Sequence, residues 1–222
     1  MNIGIIGCGS IAKKLVEFQL EDKLEVNIAY FYDIDHESAV SLAKKADAIA
    51  TEDINDLIEN CDLIMEAASQ GAVRALMPNI IDHGCDVIIM SVGALMDEEF
   101  RSQLEQKAEN SGSKIHLPTG AITGIDTVKA ATLGEITSIS LTTRKPPKSL
   151  SVEVEGMDEV VLFDGKASDA VNEFPKNINV SSTLSLASGI NVDVKIIADP
   201  KIENNTHEIH LKGTFGELTT IT

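Results

Sequence analysis

Met1-Asn-Ile-Gly-Ile-Ile-Gly-Cys-Gly-Ser-Ile-Ala12 is the stretch that decides the fold. Ile3, Ile5 and Ile6 form a short apolar run of the kind a buried parallel strand shows. Gly7 and Gly9 follow at once. Ile11, Leu15 and Phe18 then recur at helical spacing, so a helix is expected from about Ser10. Strand, glycine turn and helix form the setting of a dinucleotide-binding fingerprint. Gly7 would permit the tight turn. Gly9 would let a pyrophosphate approach the backbone N–H groups of the first helical residues, Ser10 and Ile11, where the helix dipole favours an anion. Ala12 stands at the third position, which asks only for close helix–strand packing. The plainer alternative is a structural glycine turn in some other α/β protein.

Working outward, Val26 to Tyr32 reads as a second strand, rich in β-branched and aromatic residues. Asp33 ends it, about 20 positions beyond the glycine turn, where an acidic side chain can hold a ribose hydroxyl pair and repel the extra phosphate of NADP. Asp33 therefore favours NAD, the alternative being a turn aspartate that caps the next helix, Ser38 to Lys45. A short strand at Ala48 to Ala50, a helix at Asn55 to Glu59 and a buried strand at Asp62 to Ala67 follow. Ala68 and Ser69, at the exit of that strand, would lie beside a cofactor, because ligands gather at strand C-termini in a doubly wound sheet. Next come a helix at Ala72 to His83 that Pro78 should kink or break, a strand at Asp86 to Ser91, and an amphipathic helix from Asp97 to about Asn110. Lys114 to Pro118 is a last short strand. Alternation of this kind makes residues 1–119 a Rossmann-type domain with a doubly wound parallel sheet.

The pattern changes after Pro118. Thr119 to Gly124 is a hinge of small residues, and a helix runs from Ile125 to about Leu133. Strands then dominate: Ile136 to Thr143, ending in a basic turn at Arg144-Lys145-Pro146-Pro147; Val160 to Phe163, closed by Asp164-Gly165; Val192 to Ile196; Thr206 to Lys212; and Phe215 to Ile221. Helices are expected at Ser168 to Phe174 and Val180 to Ala187. Residues 120–222 thus read as an α+β substrate and dimerisation domain with a mixed sheet.

Composition bounds the partners. The 222 residues carry 35 acidic against 18 basic side chains, a formal charge of −17. Such a surface repels phosphate backbones, so nucleic acid is not expected as a partner. Apolar residues make up 43%, ordinary for a globular chain, and no apolar run approaches membrane-spanning length. The first strand begins at Asn2, so no targeting segment is expected. Cys8, Cys61 and Cys85 lack metal-ligand spacing, and their odd number suits a reducing cytoplasm. Cys8 is either a reactive thiol in the phosphate turn or a small turn residue.

Among ionisable groups His207 is the most informative. Period-two alternation puts it on the face of Ile209 and Leu211, and His210 on the other with Glu208 and Lys212. Spacing alone leaves it either a core histidine or a catalyst. Asn177 and Asn179 precede a helix whose first turn, Val180-Ser181-Ser182-Thr183, offers N–H groups and hydroxyls for a substrate carboxylate; Asn179 can equally be an N-cap. Arg144 and Lys145 could bind a dicarboxylate, though a surface position is the favoured reading.

Eight stretches carry a resemblance: Gly7 to Ala12, Glu66 to Gln70, Ser91 to Ala94, Thr119 to Ile122, Leu141 to Lys145, Phe174 to Val180, Ile197 to Asp199 and His207 to Ile209. In this order they resemble the L-aspartate dehydrogenase family, itself similar in plan to homoserine dehydrogenase. The resemblance implies NAD(P)-dependent oxidation of L-aspartate to iminoaspartate, which water takes to oxaloacetate and ammonia. It implies that His207 is the catalytic residue and that Ala121 and Asn179 contact the cofactor. The histidine would accept a proton from the substrate ammonium or activate water. The resemblance further implies that the imine feeds quinolinate synthesis and so NAD biosynthesis, with quinolinate synthase as a partner, and the strand-rich second half suggests a homodimer through its sheet. Family members usually continue past the final strand into a C-terminal helix, which is not expected in a sequence ending at Thr222. The rival readings are another oxidoreductase, like homoserine dehydrogenase or dihydrodipicolinate reductase, and a non-catalytic NAD-binding protein.

Overall fold

The computed structural model describes residues 1–154, 156, 158–174 and 178–222. The chain divides into two compact units, Met1–Pro118 and Thr119–Thr222.

In the first unit strands and helices alternate: β1 (Asn2–Ile6), α1 (Ser10–Leu20), β2 (Asn27–Tyr32), α2 (His36–Ala46), β3 (Ile49–Thr51), α3 (Ile54–Asn60), β4 (Leu63–Glu66), α4 (Gln70–Asp82), β5 (Asp86–Ile89), α5 (Glu98–Ser111) and β6 (Ile115–His116). The six strands are parallel, in the order β3-β2-β1-β4-β5-β6. The order reverses between β1 and β4, which is where a doubly wound sheet opens a crevice at its strand C-termini. Ile5, Ala12, Val16, Ile28 and Phe31 pack into one core cluster, which fixes α1 against the sheet and explains why Ala12 must be small. Side chains of Asp35, Asp53, Ser69 and Asp97 cap α2, α3, α4 and α5, accepting from first-turn N–H groups.

Pro78 neither breaks nor ends α4, which continues to Asp82. The inward side chains Val73, Met77, Ile80 and Ile81 are fully buried. Their packing outweighs the one backbone hydrogen bond that proline forfeits. The exit of β5 is a 3-10 turn over Val92–Met96.

The second unit holds α6 (Ile125–Ala131), β7 (Ile136–Lys145), a single turn α7 (Pro147–Leu150), β8 (Val160–Lys166), α8 (Ala167–Glu173), α9 (Asn179–Ser188), β9 (Asp193–Ala198), β10 (Thr206–Gly213) and β11 (Gly216–Ile221). Its sheet runs β11-β10-β7-β9-β8, with β7 and β9 parallel and the other pairs antiparallel. The α/β plan with a mixed α+β sheet after it is the one expected from the sequence.

Two local expectations are corrected here. Arg144 and Lys145 do not form a turn: both stay in β7, where Lys145 pairs with Ala198 of β9. The strand stops at Pro146, which has no N–H to continue the ladder. Asp164 and Gly165 likewise lie inside β8, paired with Lys195 and Val194, and the Lys195–Asp164 ion pair at 2.9 Å holds that register. Among the described residues no helix is long and apolar enough to cross a membrane.

Candidate active site

In the first unit the candidate site lies at the β1–β4 crevice. Gly7 has φ +97°, and a Cβ there would sit 2.8 Å from the backbone of Ala67 and Ala68. No side chain fits, so glycine is obligatory at the turn. Gly9 differs: its φ is −80°, and a Cβ would meet nothing within 4 Å. The space above Gly9 is open, and Ser10 and Ile11 beside it are exposed. No side chain caps α1, and its first turn has no acidic residue. Its N–H groups therefore remain available for an anion.

Asp33 closes this loop from β2. Its Oδ2 accepts the Cys8 N–H at 2.6 Å and its Oδ1 accepts the Asp35 N–H at 2.9 Å. The alternative of Asp33 as helix cap is excluded, because Asp35 caps α2 through Ser38. Each Asp33 oxygen keeps a lone pair for a hydroxyl. A cleft of about 310 Å³ runs beside it, lined by Gly7, Asp33, Ile34, Ala68, Ser69 and Ala72 among others. Ile34 is almost wholly exposed at its rim, an apolar surface suited to a flat base. An open glycine turn at a helix N-terminus, a carboxylate beside it and an apolar slot fit a dinucleotide. Cys8 is a turn residue and not a reactive thiol: burial, with help from Asp33 and Asp35, raises its pKa to about 11, so little thiolate exists near neutrality.

Glu66, which residue-by-residue reading missed, organises the loop that carries Ala68 and Ser69. It is fully buried at the end of β4. Its Oε1 accepts the Ala68 and Ser69 N–H groups at 2.8 Å and the Ser91 hydroxyl at 2.8 Å, and its Oε2 accepts the Ser91 N–H at 2.9 Å. The signal was an acid closing an apolar strand and followed by small residues. Ser69 also caps α4, accepting the Ala72 N–H at 3.1 Å, so its hydroxyl is already engaged.

In the second unit His207 lies near the start of β10. It shares the inward face with Ile209 and Leu211, and only 4% of it is exposed. Its Nδ1 lies 2.9 Å from Thr143 Oγ1, directly across the β7–β10 ladder. Burial, and next the charge of Lys145, push the imidazole pKa down to about 4. The ring is therefore neutral at pH 7 and able to accept a proton. His210 takes the outer face, bonded to Glu208 and Thr219.

Thr222 links Ala121 to this histidine. It exchanges backbone hydrogen bonds with His207 at 2.8 and 3.0 Å, and its hydroxyl donates to the Ala121 carbonyl at 2.8 Å. Asn179 is the first residue of α9 and not its N-cap, a place taken by Ile178 without a side-chain bond. The Ser181 hydroxyl is buried and donates to the Ile178 carbonyl at 2.9 Å, so it is spent locally. Asn177 lies outside the described residues. The favoured surface reading of the basic pair fails for one member. Arg144 does take the outer face, with Glu159 and Glu208, whereas Lys145 is half-buried on the inner one. The period Ile139, Leu141, Thr143, Lys145 was the signal for that.

With this geometry in hand, the chain can be set beside known proteins. Residues 7–118 match the family described as homoserine dehydrogenase, NAD binding domain, and residues 126–222 match aspartate dehydrogenase, C-terminal. An L-aspartate dehydrogenase of Methanothermobacter thermautotrophicus is 48% identical over 222 residues, covering 100% of this chain and 86% of that one. The aspartate dehydrogenase structure from Thermotoga maritima superposes with a TM-score of 0.82 at 30% identity, covering 100% of this chain and 88% of the other. A myo-inositol dehydrogenase of Lactobacillus casei, solved with NAD(H) and myo-inositol, shares the fold alone, with a TM-score of 0.66 at 13% identity over 99% of this chain and 73% of that one.

Proposed function

The chain belongs to the L-aspartate dehydrogenase family, and we propose that it oxidises L-aspartate with NAD or NADP to iminoaspartate, which water converts to oxaloacetate and ammonia. The observation that carries this reading is similarity along the whole chain, 48% over 222 residues, to a protein of that name.

The first unit's parts suit the cofactor. Gly9 and the N–H groups of Ser10 and Ile11 would hold the pyrophosphate. Asp33 would take the ribose hydroxyls and favour NAD over NADP, since a 2′-phosphate would meet its carboxylate and that of Asp35. Ala68 and Ser69 would line the same cleft, with Ala121 and Asn179 as further cofactor contacts from the second unit. When bound, a nicotinamide supplies the two-electron acceptor for the Cα hydride.

His207 is the base in this reading. The substrate enters as an ammonium, which holds no lone pair to drive hydride loss from Cα. A neutral imidazole that takes one ammonium proton frees that pair, and the C=N bond forms as hydride departs. The Thr143 bond permits the tautomer in which Nδ1–H donates to Oγ1 and Nε2 keeps the lone pair a base needs. The protonated imidazole can then return its proton as water adds and ammonia leaves. Asn177 and Asn179 would complete the substrate contacts; Ser181 could join them only as an acceptor, its hydroxyl proton being given to the Ile178 carbonyl.

The assembly and setting follow from the same reading. Edge strand β8 exposes Val160 and Val161, apolar surface that a homodimer through this sheet would cover. Three free cysteines suit the cytoplasm. There the imine would feed quinolinate synthase and NAD biosynthesis. The test is NADH formation with L-aspartate against L-glutamate, L-alanine and L-homoserine. Aspartate is expected to be preferred by about 100-fold in kcat/KM, and equal or absent turnover would refute the reading.

A further inference from the structure

Two lysines lie side by side in helix α1, and the second is committed away from the glycine turn. Lys14 reaches toward the helix C-terminus: its Nζ meets Glu17 Oε2 at 2.7 Å and lies 4.9 Å from the centre of the Phe18 ring. Lys13 stands one helical turn above Gly9, whose carbonyl accepts the Lys13 N–H at 3.0 Å. Helical side chains lean back toward the N-terminus, so a four-carbon stem can span that turn of about 5.4 Å and carry its ammonium over Gly9. Lys13 is exposed, as are Ser10 and Ile11, and a Cβ at Gly9 would meet nothing within 4 Å.

The charges at the turn agree with that placement. Cys8, inside the turn, has its pKa raised by burial and then by Asp33 and Asp35, and lowered by Lys13. Two carboxylates and one ammonium therefore act on the same spot, since such effects fade with distance. An anion entering here meets both carboxylates, on a chain of net charge −17. The first turn of α1 holds no acidic residue and no side-chain cap, but its dipole supplies only about half a positive charge. A pyrophosphate carries more than that, and a lysine over the turn would supply the balance.

We propose that Lys13 pairs with a phosphate group of the bound dinucleotide, either the bridging pyrophosphate or the 2′-phosphate of NADP. This rests on the dinucleotide reading of the first unit given above. The pair offsets the repulsion that Asp33 and Asp35 impose on an anion at the turn. Lys14, one residue on and held by Glu17, takes no part.

The test measures the dissociation constants of NAD and NADP by calorimetric titration for wild type, Lys13→Met, Lys13→Arg and Lys14→Met. Thermal melts of the free proteins check folding, and Lys13→Gln replaces the methionine variant if that one does not fold. Both methionine variants remove one positive charge, so an effect of the overall field is the same in both. Lys13→Met should weaken cofactor binding about fivefold or more, while Lys14→Met should stay within about twofold. Lys13→Arg should recover most of the loss. Added KCl should weaken binding to wild type more steeply than to Lys13→Met, which a purely structural role would not produce. Weaker binding of NAD identifies the pyrophosphate as the partner, a loss confined to NADP the 2′-phosphate, and both support the proposal. If Lys13→Met stays within about twofold of an NAD-binding wild type for both cofactors, or if the two methionine variants lose equally, the proposal is overturned and the cofactor reading stands. A wild type that binds neither cofactor overturns both.

Discussion

His207 Nδ1 and Thr143 Oγ1 lie 2.9 Å apart on facing strands, with both residues buried. The bond fixes the ring plane and, through Nδ1, decides which nitrogen faces a substrate. Thr143→Val keeps the shape and removes the bond. It should lower kcat about 10-fold or more and leave NAD affinity unchanged, whereas Thr143→Ser should stay within about threefold of wild type. Equal kcat in all three proteins would show that the hydroxyl does not orient the ring.

Acidification should act on His207 in a defined direction. Its folded pKa, about 4, lies below the ordinary value of 6.5. An unfolded chain therefore binds the proton first, so the stability His207 contributes is complete above pH 6.5 and is lost as pH falls toward 4. Urea denaturation of wild type and His207→Gln between pH 7 and 4.5 checks this. The wild type should lose the more stability over that range; parallel curves would contradict the assignment. The acid limb of kcat/KM should likewise fall well below pH 6.5.

The two glycines of the first turn should separate stability from binding. Gly7→Ala places a Cβ 2.8 Å from the Ala67 and Ala68 backbone, and should cost about 3 kcal/mol or more, or prevent folding. Gly9→Ala meets nothing in the protein. It should fold with wild-type stability yet bind NAD about 10-fold or more weakly, because the methyl would occupy the space proposed for the pyrophosphate. Calorimetric titration with NAD and thermal melts measure both. A Gly9 variant with unchanged NAD affinity would place the pyrophosphate elsewhere.

Glu66→Gln should show how much the cofactor-side loop depends on one side chain. Its carboxylate accepts four donors. An amide turns one acceptor into a donor that must face N–H or O–H groups. A loss of about 2 to 4 kcal/mol in denaturant unfolding is expected, with weaker NAD binding alongside. A loss below about 0.5 kcal/mol would mean the loop is held by something else.

Local signals made most of this plan legible. Ile3 to Ala12 combines a buried strand, a forced glycine turn and an uncapped helix, all short-range in origin. Two-residue alternation put His207 inside and His210 outside, because a half-buried strand has only two faces. The same alternation runs through β7, but reading Lys145-Pro-Pro as a turn hid the lysine's face. Proline ends a strand at itself, not two residues earlier. Glu66 was hidden for a different reason. Its donors on Ala68, Ser69 and Ser91 converge only once β4 and β5 pair, up to 25 residues apart in sequence. Pro78 was misjudged because the packing that carries α4 through it comes from tertiary contacts with α5 and β5.

The most direct measurement of the central claim is the rate of NADH formation from saturating L-aspartate and NAD by wild type and by His207→Ala, with NAD affinity measured on the same samples. The account expects the alanine variant to bind NAD normally and to turn over about 100-fold or more slowly. Turnover within about threefold of wild type would show that this imidazole is not the base.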